Sequence, residues 1–372
     1  MIENSANDTS ASSGLSPTVL DARSELTSVP VSRGVNNLGY RGWAGRLAPS
    51  WMRCFVISEV GVRRAWQSQW LRRMLFLACL PAVWFGAGIF AWEQAALYPE
   101  WRQMLRPFLR GMPATPEFDE IRQALQNGDL AGSRHTVWAW LLQTFFRYPQ
   151  GVLMVMVVGV IAPPLISQDI RSRAFLLYFS RPLTRAEYLL GKVVTLWAYL
   201  ALISMIPALA LYVLGVLLSP SLSVVVATWD LPLRIIGASI VLMLPTSVLA
   251  LCFSSLTQES RYAAFAWFAV WILGWFTYGA VTSADAFHAQ QEMARTRQEA
   301  MRFGRPPIPS MPEVKESAWT HLSLYHTLGR VQRWVFGFAE WNDVWISTMI
   351  LIGVTVVSLA ILFQRISAPM RV

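Results

Sequence analysis

The sequence predicts an all-α polytopic membrane protein, and three observations carry that prediction. The 372 residues are 54% hydrophobic and only 14% charged, whereas a soluble domain has about 25% charged residues. Six uncharged runs, 74–92, 148–168, 193–229, 235–258, 262–284 and 344–364, reach the ~20 residues that cross a bilayer. Eighteen tryptophans fit the same class, because indole rings gather at membrane–water boundaries.

The elements follow in order. Residues 1–50 are rich in Ser, Asn, Thr and Gly and lack apolar periodicity, which predicts a disordered cytoplasmic tail. Within it there is no charged n-region followed by an apolar core and a cleavage site, so no cleavable signal peptide is expected there. In 51–73, Trp51, Phe55, Val60, Ala65, Trp66 and Trp70 alternate with arginines at helical spacing. That pattern predicts an amphipathic helix along the cytoplasmic surface before span one. Residues 51–372 then form one six-span domain, with spans near 74–92, 148–168, 193–218, 235–258, 262–284 and 344–364. The third run is one long helix, kinked near Pro207 and stopped by Ser219-Pro220-Ser221. Segment 135–146 (HTVWAWLLQTFF) is too short to span and reads as an interfacial or re-entrant helix.

Both long loops are expected to be helical. Thr115 suits an N-cap and Pro116 the first turn, where Glu117 and Asp119 meet the positive helix end. Phe118, Ile121 and Leu125 make one apolar stripe before Gly128. A second helix is expected over 285–303, then a Pro-rich break (305–312) and an aromatic-rich segment, 316–338.

Charge sets the orientation. Arg53, Arg63, Arg64, Arg72 and Arg73 crowd the approach to span one, which predicts an N-in chain. An even number of spans returns the C-terminus to the same side. On this topology the cytoplasmic segments hold 17 basic and 8 acidic residues, and the external ones hold 14 of each. The formal charge of +9 is therefore a positive-inside bias and not a nucleic-acid footprint. External placement makes both long loops, 93–147 and 285–343, extracytoplasmic.

Several chemistries are excluded. No Asp, Glu, Lys, Arg or His lies inside the six runs, which argues against transport driven by protons or ions. No HExxH or GxSxG-type site occurs. Cys54, Cys79 and Cys252 are too scattered for a metal site, and His321 and His326 share a helix face poorly. Gly191-Lys192 is no phosphate loop, since Ala186 and Val193 replace the glycine and hydroxyl that such a loop needs. The chain is expected to carry no cofactor of its own.

The informative segment is 169–192, DIRSRAFLLYFSRPLTRAEYLLGK. Asp169 ends span two, and an amphipathic stretch runs to Phe179. Arg171, Arg173, Arg181, Arg185 and Lys192 make the segment strongly basic. Pro182 disfavours helix at Arg181. Thr184-Arg185-Ala186-Glu187 is a capping box, so span three starts at Thr184 and runs unbroken through Gly191-Lys192. A short surface helix, a proline turn and a capped helix suit the transmission of a push into spans two and three.

This segment resembles the ABC-2-type permeases, membrane subunits of ATP-binding-cassette transporters. Members often show an acidic residue, a short helix, a Pro-x-Ser/Thr-Arg turn and a Gly-Lys, here Asp169, Pro182-Leu183-Thr184-Arg185 and Gly191-Lys192. Glu59, beside Arg63 and Arg64, looks like the acidic residue of the family's N-terminal interface helix. Arg173-Ala174 departs from the family's common Gly-Thr. The resemblance implies a permease of the bacterial cytoplasmic membrane that dimerises with a second permease, alike or different. It also implies that a separately encoded ABC ATPase binds ATP and Mg, and meets this chain at Asp169, Arg171, Arg173, Arg181, Pro182, Thr184, Arg185, Glu187, Gly191 and Lys192. The alternative is a non-transporting assembly or scaffold protein whose external loops bind a periplasmic partner.

Overall fold

The computed structural model describes residues 52–110, 116–128, 130–174, 183–302 and 318–367. All of them belong to the compact unit Pro49–Val372. The expected tail at 1–50, the Thr115 cap, the surface helix ending at Phe179, Arg181, Pro182 and the Pro-rich break lie outside the described residues. The described residues form helices and no strand.

Helix α1 (Arg53–Trp66) precedes α2 (Gln69–Leu97), α3 (Pro99–Arg110) and α4 (Pro116–Asn127). Helices α5 (Arg134–Phe145) and α6 (Gly151–Arg171) are joined by a π-helical turn, Phe146–Gln150. Helices α7 (Arg185–Leu200) and α8 (Ile206–Leu218) are joined by a second, Ala201–Met205. After the short α9 (Ser223–Ala227) come α10 (Leu231–Leu256), α11 (Ser260–Arg302), α12 (Leu324–Val335) and α13 (Trp341–Ser367).

Six helical runs are long and apolar enough to cross a membrane: Gln69–Leu97, Arg134–Arg171, Arg185–Leu218, Leu231–Leu256, Ser260–Thr296 and Trp341–Ser367. Each overlaps one uncharged run and extends beyond it into charged sequence at one end or both, although the third and fourth helical runs stop, at Leu218 and Leu256, before their uncharged runs do. The bundle has two ends. At the loop end α6 turns back into α7, joined by α1 and the termini of α10, α11 and α13. The opposite end holds the α2–α5 connection, α9 and α12.

Two local expectations change. Segment 135–146 is helical, but it is the first part of a 38-residue run into span two and not a separate interfacial helix. A π turn with Pro149 inside it carries the chain through without a break; such single turns absorb an i→i−4 bond that proline cannot make. Near Pro207, where a kink is expected, a second π turn ends two residues before the proline. The helix expected over 285–303 is also no separate element. It continues span five as α11, whose 43 residues reach about 64 Å, twice the ~30 Å hydrocarbon core.

Helices α6 and α10 form the core. Pro163 and Pro164 interrupt the α6 ladder, and α10 repairs it. Ser254 Oγ donates to the Pro163 carbonyl at 2.6 Å and accepts from the Ile166 and Ser167 amides at 3.1 Å. A neighbouring hydroxyl is the usual remedy for backbone groups freed by proline in a membrane helix. Small residues let the two helices approach closely, and Ser239, Ser247 and Ser254 are all fully buried.

Candidate functional site

The residues singled out in the sequence converge on the loop end. Thr184 has extended backbone angles, and its hydroxyl accepts from the Glu187 amide while a Glu187 carboxylate oxygen accepts from the Thr184 amide at 2.7 Å. The capping box is therefore formed, and α7 starts with its first donors satisfied. Glu187 is partly exposed.

Beneath the cap lies a buried polar cluster. Lys192 Nζ is 2.6 Å from Asp169 Oδ2, and both side chains are about nine-tenths buried. Tyr188 is fully buried and donates its hydroxyl to the same carboxylate at 2.7 Å. Asp169 is on the last turn of α6, while Tyr188 and Lys192 are one turn apart on α7, so the cluster ties the two helices together on either side of the loop. Desolvation makes a pair of this kind costly to break from one side.

Gly191 has a different role from its neighbour. A Cβ there would lie 2.7 Å from Ile57 Cβ and 2.9 Å from the Cys54 carbonyl oxygen. At Gly61, a Cβ would meet Thr195 Oγ1 at 2.6 Å. The two glycines let the α1 and α7 backbones cross in close contact, as small residues do between membrane helices. Tyr199 Oη donates to the Val62 carbonyl at 2.7 Å, and Trp66 stacks on the Tyr199 ring. Helix α1 is thus packed along the first turns of α7 and is not merely laid on a surface.

Charged residues radiate from this unit. Arg171 reaches Glu259, just before α11, at 3.3 Å. Arg185 donates to Ser367 Oγ at 2.6 Å, on the last turn of α13. Glu59 and Arg63 pair at 3.1 Å on the exposed face of α1, and Arg64 is exposed beside them. Arg173 occupies the left-handed region with φ of 54°, a conformation that favours glycine. Its position is the one where the family commonly has Gly, so the departure is a side chain accepted in a glycine-like turn. Arg181 and Pro182 lie outside the described residues.

Tyr188, Thr195, Gly61 and Glu259 complete the site and were missed by sequence reasoning. Tyr188 had a signal: it stands four residues before Lys192 and shares its helix face. At the opposite end the two loop histidines are held apart in unrelated bonds, His321 with Arg330 and Ser347 and His326 with Ser323. Among the described residues no group of three His, Cys, Asp or Glu could hold a metal ion.

Six apolar helical runs around a core of α6 and α10 define a multi-pass membrane protein. The family described as ABC-2 family transporter protein matches residues 73–367, from the start of span one to the end of α13. The chain belongs to that family and is a membrane permease component of an ABC transporter. Neither a curated protein nor a solved structure matches it.

Proposed function

We propose that this chain pairs with a second permease subunit, identical or homologous, in a bacterial cytoplasmic membrane. A separately encoded ABC ATPase, holding ATP and Mg, then drives a substrate through the pair. The observation that carries the coupling role is the loop-end cluster, in which the capped start of α7, the end of α6 and α1 are joined by Asp169, Lys192, Tyr188 and Gly191. The positive-inside bias of the sequence supports placing this end, with both termini, in the cytoplasm.

The mechanism follows from stiffness. A push on loop 172–183 meets a helix whose first turn is already hydrogen-bonded, so it moves α7 instead of fraying it. The buried Asp169–Lys192 pair carries α6 along, and the close α1 crossing carries α1. Exposed Glu59, Arg63 and Arg64 and partly exposed Glu187 supply charges of both signs for an ATPase surface. Such complementarity sets specificity and association rate more than raw affinity.

The test uses the full chain co-expressed with the P-loop ATPase encoded nearest to it. Replacing Arg181-Pro182 with Gly-Gly is expected to abolish co-purification, or the permease-dependent rise in ATP hydrolysis, while the permease stays in the membrane. Unchanged co-purification and unchanged ATPase stimulation overturn the coupling role.

A further inference from the structure

Helix α11 does not end where a bilayer would. It starts at Ser260 on the loop end, so Phe287 stands about 40 Å and Gln298 about 57 Å along its axis. The hydrocarbon core is only ~30 Å thick. Composition holds the far part helical, because Ala, Gln, Glu, Met and Arg are strong helix formers. One side of this part turns to the bundle: Tyr278 stacks on His326 of α12, and Asp285 and Ala289 are half-buried.

The opposite side is patterned. Ala280, Ala284, Phe287, Gln291, Ala294 and Gln298 are all exposed, Phe287 by 58%. Their alternating steps of four and three make a 3.5-residue repeat, the seam of a left-handed coiled coil. The seam is uncharged, although Asp285, His288, Glu292, Arg295 and Arg302 share the segment. Phe287 is a knob with no hole to enter, and the three alanines leave depth around it for large side chains of another helix. The edges of the seam select that helix. In this register Ser283, His288, Gln290, Arg295 and Arg302 flank the seam, while Asp285 and Glu292 lie on the far side of α11. The edges therefore carry arginines and no carboxylate. Two copies paired about a two-fold axis would set edge against edge, with no acid to meet Arg295 or Arg302. Charge thus disfavours a second copy on this face and favours an acidic partner.

We propose that the far part of α11 docks an amphipathic helix of an extracytoplasmic protein, with large apolar side chains on its seam and Asp or Glu on its edges. Phe287 anchors it, and Arg295 and Arg302 choose its charge. Because α11 is already helical, docking spares the cost of ordering this side of the contact. The extracytoplasmic placement rests on the orientation proposed above; the helix contact depends neither on orientation nor on ATPase coupling.

The experiment places the full chain in dioleoylphosphatidylcholine nanodiscs, open from both faces, and titrates two fluorescent three-heptad peptides by anisotropy. Both peptides have Leu along the seam; one has Glu on its edges and the other Lys. Wild type is expected to bind the Glu peptide and to prefer it over the Lys peptide. Phe287→Asp is expected to weaken the Glu peptide about tenfold or more, the effect of unburying one large apolar side chain. Arg295→Glu combined with Arg302→Glu is expected to shift the preference about tenfold toward the Lys peptide. Both variants change exposed positions, so the fold is kept. Equal binding of the two peptides by wild type, or a Glu-peptide affinity that survives Phe287→Asp, overturns the proposal. A third variant tests the competing occupant: Gln291→Cys, with Cys54→Ser, Cys79→Ser and Cys252→Ser, is expected to stay uncrosslinked when membranes are oxidised. A disulfide-linked dimer would give this face to a second copy and overturn the proposal as well. ATPase stimulation, read on the same variants without peptide, reports separately on the coupling role.

Discussion

The two ends of the bundle solve the same electrostatic problem with different geometry. At the loop end, Asp169 and Lys192 link α6 to α7 with Tyr188 as a third partner. At the opposite end, Glu93 is fully buried and takes a two-pronged grip from Arg134 at 2.9 and 3.0 Å, linking α2 to α5. Beyond it Asp230 joins His135 to Arg234 at 3.0 and 2.7 Å, and Arg147 lies over the Tyr325 ring at 3.9 Å. Burial alone would raise the Asp230 carboxyl, but the His135 hydrogen bond and the nearby Arg234 outweigh it and hold it below the usual range. The opposite end is a mesh of contacts spread over several elements. At the loop end one pair and two glycines hold three helices together, which suits a part that is pushed.

The sharpest way to break that contrast is to remove one partner of each buried pair. Lys192→Met and Glu93→Gln are each expected to cost about 3–5 kcal/mol of stability, because each leaves an unpaired buried charge. Thermal melting in detergent measures both. Only Lys192→Met is expected to abolish ATPase stimulation in the folded fraction, and adding Asp169→Asn to it is expected to regain most of the lost stability. Equal loss of stimulation in both variants would make the two ends functionally equivalent.

These pairs also show where the sequence was legible. The Thr184–Glu187 cap was readable because its partners are three residues apart and the bond follows from helix geometry alone. Span centres were readable because charge is excluded from unpaired membrane depth. Helix lengths were not, since Glu93 and Arg134, 41 residues apart, neutralise each other only when α2 and α5 are neighbours. A charge-free window therefore stops short of helices that carry their charges in pairs. Asp169 and Lys192 were each noticed, but as separate motif letters. The docking of α1 was unreadable for a related reason: an apolar face beside arginines fits a lipid surface and a helix groove equally well. Gly191 held the clue, and its meaning needed Ile57.

A smaller effect sharpens the same boundary. Gly191→Ala places a methyl against Ile57 and the Cys54 carbonyl, and crowding of that kind costs typically 1–3 kcal/mol. Helix α1 is expected to lift from α7. In a Cys79→Ser background, maleimide labelling of the half-buried Cys54 should then accelerate, while the opposite end keeps its protection from hydrogen exchange. Unchanged labelling would mean that α1 and α7 separate easily without consequence.

The smallest expected effect is a pH dependence confined to the opposite end, where all four histidines of the chain lie. Burial, with Arg147 and Arg330 adding to it, lowers His326 from about 6.5 to about 3. The ring stacks on Tyr278 and bonds Ser323, with Tyr325 edge-on beside it. It is therefore neutral in the fold, while in the unfolded chain it takes a proton below pH ~6.5. The unfolded state then binds more protons, so stability falls as pH drops from about 6.5 toward 3. Asp230 adds its own loss only below the ordinary carboxylate value, as its depressed group is protonated. Between pH 6.5 and 4.5 the slope should thus belong chiefly to His326. His326→Gln keeps a polar side chain without that titration, and its melting temperature is expected to change less than the wild type's over the same interval. A wild-type slope that survives the substitution would place the acid-sensitive group elsewhere, and a slope that Lys192→Met alters instead would move it to the loop end.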